Sequence, residues 1–289
     1  MWLAFAFLSA TLLGFYDVCK KHALGTNAVI PVLFLNTLFC SMIFVPLLPQ
    51  APFGGWEVQR FIVLKSCIVL SSWALGYCGI KHLPITLVGP INATRPVMVL
   101  LGALIIFGER LNAYQWAGVL LAVASFFMLS RSGKREGIDF RHNRWIYCIV
   151  GAAILGAVSG LYDKYLMASA QNGGAGLAPL TVQCWYNFYQ AAMMGCVLLF
   201  FWWPRRHSQT PFRWKWSIPL ISIFLSAADF VYFYALSMDG SLVSVVSMVR
   251  RGSVLVGAFV FREKNLKSKA IDLLLVLLGM VFLFIGSSR

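Results

Sequence analysis

Ten membrane-spanning helices, built as two five-helix repeats inserted upside down relative to each other, are the fold this sequence predicts. Three observations predict it. The chain is 60% hydrophobic and 12% charged, against about 25% charged in soluble domains, and its mean hydropathy is +0.77. Its apolar residues gather in runs near the roughly 20 residues that a spanning helix needs. Two of those runs carry arginine near mid-depth: 84–111 has Arg95 before Pro96, and 240–266 has Arg250 and Arg251 before Gly252. A charge at that depth costs at least about 2.5 kcal/mol, so it persists only facing protein or a water-filled cavity. One such span can be an accident. Two, in corresponding places of two halves, point to a pocket made from a duplicated unit.

The first span runs from about residue 2 to 20. It lacks a positive n-region and a prompt small-residue cleavage site, so it reads as a retained helix rather than a signal peptide. Near its end Asp17 and Lys21 are four apart and share a face. Span two, about 31–48, is closed by Pro46 and Pro49. Span three, about 61–80, contains Trp73 and Tyr77, and a short Lys81-His82-Leu83-Pro84 connection leads into the arginine span. Asn92 lies on that span within a glycosylation-like Asn-Ala-Thr, a chance match at such a depth. Span five covers about 113–129. The basic stretch 131–144 is the boundary between halves, which gives units 1–130 and 145–289.

In the second unit, spans are expected at about 145–167, 177–203, 216–236, the second arginine span, and 269–285. Asn187 falls in the seventh span, and Asp229 and Tyr232 in the eighth. The halves align in order. Gly14-Phe15-Tyr16-Asp17 repeats as Gly160-Leu161-Tyr162-Asp163, Tyr77-Cys78-Gly79-Ile80 matches Phe233-Tyr234-Ala235-Leu236, Arg95 falls opposite Arg251, and Glu109 opposite Glu263. An odd number of spans per half inverts the second half, and inverted repeats hold substrate near the midplane in transporters.

The net charge of +14 would point to nucleic acid in a soluble chain, but here the basic residues sit in short loops and set topology. No nucleic-acid partner is expected; the expected partners are membrane lipid and a small-molecule substrate. The loops after spans 1, 3, 5, 7 and 9 hold 16 of the 24 basic residues, against Arg60, Lys65, Arg110, Lys164 and Arg289 on the other side. The positive-inside rule then places both termini outside a cell (inner or cytoplasmic) membrane. The seven cysteines lie in apolar spans without a C-x-x-C pair, and the four histidines are scattered; no disulfide, metal or cofactor is expected. Neither a nucleophile–base pair nor a nucleotide-binding motif is present, so neither an enzyme nor an ATP-driven pump is expected.

Ten apolar helices, two five-helix repeats and the exit Gly108-Glu109-Arg110-Leu111 resemble the EamA-type permeases of the drug/metabolite transporter superfamily. Gly14 followed seven residues later by Lys21 is similar to that family's first-helix pattern, and the stretch 77–96 to its third-to-fourth helix pattern, which ends in a proline. The resemblance implies a carrier of amino acids, sugars, nucleotide-sugars, drugs or other metabolites. It also implies a central cavity between the halves, lined by helices 1, 3, 4, 6, 8 and 9. Three features depart from the family pattern. Its ten-helix members keep both termini in the cytoplasm, Gly252 stands where the second proline is expected, and Asp17 lies nearer its helix end than the glutamate of the small multidrug members.

Arg95 and Arg251, with Arg250, are the first candidates for binding an anionic group, because a guanidinium fork matches carboxylate or phosphate. The competing reading pairs them with Asp17, Asp163 or Asp229. Those acids are also candidates for proton or ion coupling, which requires burial to raise their pKa. Trp73, Tyr77, Tyr186, Asn187 and Tyr232 are candidates to line the cavity, with packing or an interfacial belt position as the competing reading; Lys21 and Asn92 complete the set. The expected function is alternating-access transport of a small polar metabolite, anionic or zwitterionic. The alternatives are efflux of cationic or aromatic drugs and flipping of a lipid-linked anion. Ten helices enclose a site within one chain, so a monomer suffices.

Overall fold

The computed structural model describes residues 1–24, 27–82, 91, 94–131, 144–205, 211–251 and 253, and the short stretches 274–275, 278–279, 281–282 and 285–286; side chains at 21, 77–82, 122, 125–131, 144 and 251 are excepted. Asn92, the linker 132–143, Glu263 and most of the tenth span lie outside the described residues, as do the side chains of Lys21, Tyr77 and Arg251. The described chain is helical and contains no strand.

α1 (Trp2–Leu24) and α2 (Val29–Phe44) are built on predominantly apolar sequence. Pro46 lacks an N–H for the α ladder, and the chain tightens there into a 3-10 turn, Val45–Gln50. Gly54 and Gly55, with φ of 68° and 80°, turn the chain into α3 (Gly55–His82). α4 (Arg95–Ile106) has Thr94 as its N-cap residue and Pro96 in its first turn. Proline is tolerated there because its missing N–H has no intrahelical partner to lose. Pro96 thus stands in the first turn of the described helix. α4 ends on Gly108, at φ 61°, with the Glu109 amide returning to the Ala103 carbonyl at 3.3 Å, a closure that favours glycine in the left-handed conformation. α5 (Ala113–Arg131), α6 (Arg144–Met167), α7 (Pro179–Val197), α8 (Ser217–Ser237) and α9 (Val243–Arg251) follow.

Six stretches are long and apolar enough to cross a membrane among the described residues: Trp2–Leu24, Val29–Gln50, Gly55–Gly76, Trp145–Met167, Pro179–Arg205 and Ser217–Ser237. The polarity of the bundle is reversed relative to a soluble protein. Ser9, Asn36, Gln59, Lys65, Asp163, Gln183 and Gln190 are buried, whereas Leu101, Ile105, Leu120, Ile154, Phe200 and Ile223 are exposed. In lipid that is the stable arrangement, because polar groups without water must find partners inside the protein.

Helix pairing is reciprocal. α1 packs on α8, and α6 on α3; α4 packs on α6, and α9 on α1; α2 packs on α8, and α7 on α3. α1 and α8 run antiparallel, with Phe5 against Tyr234, Ser9 donating to the Ala228 carbonyl at 2.7 Å, and Phe15 stacked on Phe224. α3 and α6 are likewise antiparallel: the Tyr162 hydroxyl donates to the Phe61 carbonyl at 3.2 Å, and Ser72 to the Ala152 carbonyl at 2.8 Å. α2 and α8 run parallel, with Asn36 beside Ser222 and Phe44 beside Phe230. Lipid tails supply no hydrophobic drive between helices, so small residues and interhelical hydrogen bonds carry the association. α6 shows the first device: its Gly151, Gly156 and Gly160 face Leu75, Arg95 and Val99.

Candidate functional site

The interior charges come from five helices. Lys65 of α3 forms a buried ion pair with Asp163 of α6; the side chains are 3% and 8% exposed. The Lys65 ammonium also lies 4.6 Å from the centroid of the Tyr186 ring on α7 and 4.7 Å from that of Phe233 on α8. An ammonium between two aromatic faces, with a carboxylate in contact, is stabilised where water is scarce. Lys65 stands ten residues into α3, about 15 Å along its axis, near the middle of a hydrocarbon core of about 30 Å.

A second pair joins α9 to α8. Arg250 donates to Asp229 Oδ1 at 2.6 Å, and its guanidinium carbon lies 4.0 Å from the Tyr232 ring centroid. Arg250 Nε is buried without a hydrogen-bond partner among the described residues. Arg95, the first residue of α4, lays its guanidinium over Gly156 of α6, in the space where any larger side chain would put its Cβ. It lies within electrostatic reach of Tyr232, Arg250 and Asp163. Among the described residues no hydrogen bond or ion pair engages Arg95. Three cations, Lys65, Arg95 and Arg250, thus face two carboxylates, each held by one of the other cations.

One end of this centre is pinned by a cap that joins distant parts of the chain. The Glu109 carboxylate accepts hydrogen bonds from the Val243 amide at 2.6 Å, the Ser244 amide at 3.3 Å and the Ser244 hydroxyl. These are first-turn donors of α9, unsatisfied within the helix and at its positive dipole end. Lys164 donates to the Ser241 carbonyl at 2.7 Å and to the Leu236 carbonyl at 3.4 Å at the end of α8. Together they hold the turn from which α9 carries Arg250 inward.

The structure assembles some of the sequence candidates and separates others. Arg95, Arg250, Asp163, Asp229 and Tyr232 meet in the centre. Asn187 is buried on α7. Asp17 stands on an exposed face of α1. Trp73 is half-buried on α3, with no hydrogen bond, ion pair or ring contact to the charged centre among the described residues. It is Arg250 that grips Asp229. Lys65, expected on a loop side of the membrane, is a buried interior charge, whereas Lys164 stays in the last turn of its helix and caps another. Lys65 was legible as a charge with apolar residues on both flanks (IVLKSCIVL), the same signal that marks Arg95. Glu109, which the sequence marks only as part of the exit from the arginine span, caps α9.

The described chain is all-helical, with apolar helices long enough to cross a membrane and charged groups gathered between them. Residues 1–131 match the EamA-like transporter family, which supports a transporter of the drug/metabolite type and bears out the resemblance read from the motifs. A protein solved by crystallography superposes with a TM-score of 0.72 at 15% identity, over 99% of this chain and 96% of its own; that likeness shows the fold alone. No curated protein matches.

Proposed function

We propose that the protein is a secondary carrier for a small polar metabolite, anionic or zwitterionic, moved by alternating access between units 1–130 and 145–289. The observation that carries this reading is Arg95: an interior guanidinium laid over Gly156, with neighbouring carboxylates already held by Lys65 and Arg250. A carboxylate or phosphate arriving there gains a charge-assisted, two-pronged contact and balances the third cation. Reciprocal helix pairing supports the two-unit architecture: the antiparallel α1–α8 and α3–α6 pairs, with the parallel α2–α8 pair, follow from units of five crossings inserted in opposite senses. Efflux of cationic drugs draws less support, because both interior carboxylates of the centre are occupied by cations.

The test is ligand-induced thermal stabilisation of detergent-purified protein, with amino acids, organic acids, sugar phosphates, nucleotide-sugars and cationic dyes. An anion should raise the melting point of the wild type, and Arg95→Ala should weaken its binding by roughly 10- to 150-fold, as expected for about 1.5–3 kcal/mol of charged hydrogen bonding. Stabilisation by cations or dyes alone, undiminished in Arg95→Ala, would sink the anion reading and favour drug efflux.

A further inference from the structure

One polar face of the bundle belongs to neither ion pair. Gln183, Asn187 and Gln190 of α7 are spaced four and three residues apart, so they share one side of the helix. They are 1%, 5% and 1% exposed. Gln190 Nε2 donates to the Ser66 carbonyl at 2.8 Å, beside Lys65. Tyr186 stands between them on the same face, its ring against the Lys65 ammonium. Asp163, the partner of Lys65, is within electrostatic reach of both Tyr186 and Arg95. The stripe and the Arg95 guanidinium therefore border one centre.

The polar atoms of this face are short of partners. Gln183 Oε1, Asn187 Nδ2 and Gln190 Oε1 are buried with no hydrogen-bond partner among the described residues. Leucine or methionine would fill similar volumes without that penalty. The unpartnered set includes both acceptors and a donor. A hydroxyl group donates and accepts at once, so hydroxyls satisfy the whole set, whereas a methylene chain satisfies none of it.

We infer that the α7 face Gln183–Asn187–Gln190 recognises the hydroxyl groups of the cargo, and that the cargo is a hydroxylated organic anion whose charged end meets Arg95. This rests on the anion reading above and narrows its substrate class.

The experiment is calorimetric titration of the purified full-length protein with two matched pairs, D-gluconate against hexanoate and D-glucose 6-phosphate against hexyl phosphate. The wild type should prefer the hydroxylated member of at least one pair by roughly tenfold or more. In the combined variant Gln183→Leu with Asn187→Leu, that ratio should fall toward one, with the unliganded melting point no lower than wild type. Gln183→Met with Asn187→Ala gives the same reading should the leucine pair fail to fold. Equal wild-type affinity within both pairs, or a ratio unchanged by the variants, overturns the inference. When the anions bind irrespective of hydroxyls and Arg95→Ala weakens them, the anion reading stands and the hydroxyl reading falls. When no anion binds, both fall.

Discussion

Replacing Asp163 by asparagine should be among the most damaging single changes in the bundle. The variant leaves the Lys65 ammonium 3% exposed between the Tyr186 and Phe233 rings, with its carboxylate gone. Removing one partner of a buried pair costs about 3–5 kcal/mol, because the survivor is an uncompensated buried charge. At roughly 2–4 °C per kcal/mol, the melting point should fall by about 6–20 °C. Lys65→Met should destabilise by a similar amount, because it too leaves one partner of a buried pair behind. The combination Lys65→Met with Asp163→Leu should return close to wild type, since well-packed apolar residues replace a buried pair at little cost. The assay is thermal unfolding of the four proteins in one detergent, read as a double-mutant cycle. A coupling energy near zero would refute the reasoning and mean that the pair is solvated.

Further outcomes follow from the helix contacts and from the distribution of charge. Gly160→Ala should leave the melting point unchanged or slightly raised, because its Cβ would meet Val99 at an ordinary 3.6 Å and alanine favours the helix by up to about 1 kcal/mol; Gly156→Ala should displace the Arg95 guanidinium and weaken anion binding in titrations while the fold survives. Glu109→Ala should lower the melting point through loss of a charged helix cap, a contribution of about 1–2 kcal/mol, while Glu57→Ala, which breaks an exposed pair with Arg60, should leave no measurable change. A protease site inserted after Gly137 should be cut only from the cytoplasmic face, as the positive-inside rule requires for the basic stretch 131–144; cutting from the other face would reverse the orientation.

How far the sequence reaches is seen by comparing Arg95 with Lys65. Both are cations in apolar runs, and both are interior. Arg95 stood out because it sits beside a proline and has a counterpart in the other half. Lys65 was drawn to the surface because it lies four residues after the expected start of its span, whereas α3 begins at Gly55 and carries it inward. The α7 stripe shows the same limit: Gln183 and Gln190 are unremarkable polar residues until their helix is rotated toward the centre.

The sequence by itself determined that this chain is a membrane protein, the position of its long apolar helices, and a resemblance that holds for residues 1–131. These are legible because hydropathy and length are properties of one segment measured against a bilayer of known thickness. Tertiary structure decided which charges neutralise one another: Lys65 and Asp163 are 98 residues apart, and Arg250 grips Asp229 on another helix. Such pairings depend on how each helix is rotated and which helix it packs against. In lipid that choice is made by small-residue contacts and interhelical hydrogen bonds, which a segment's own hydropathy does not record.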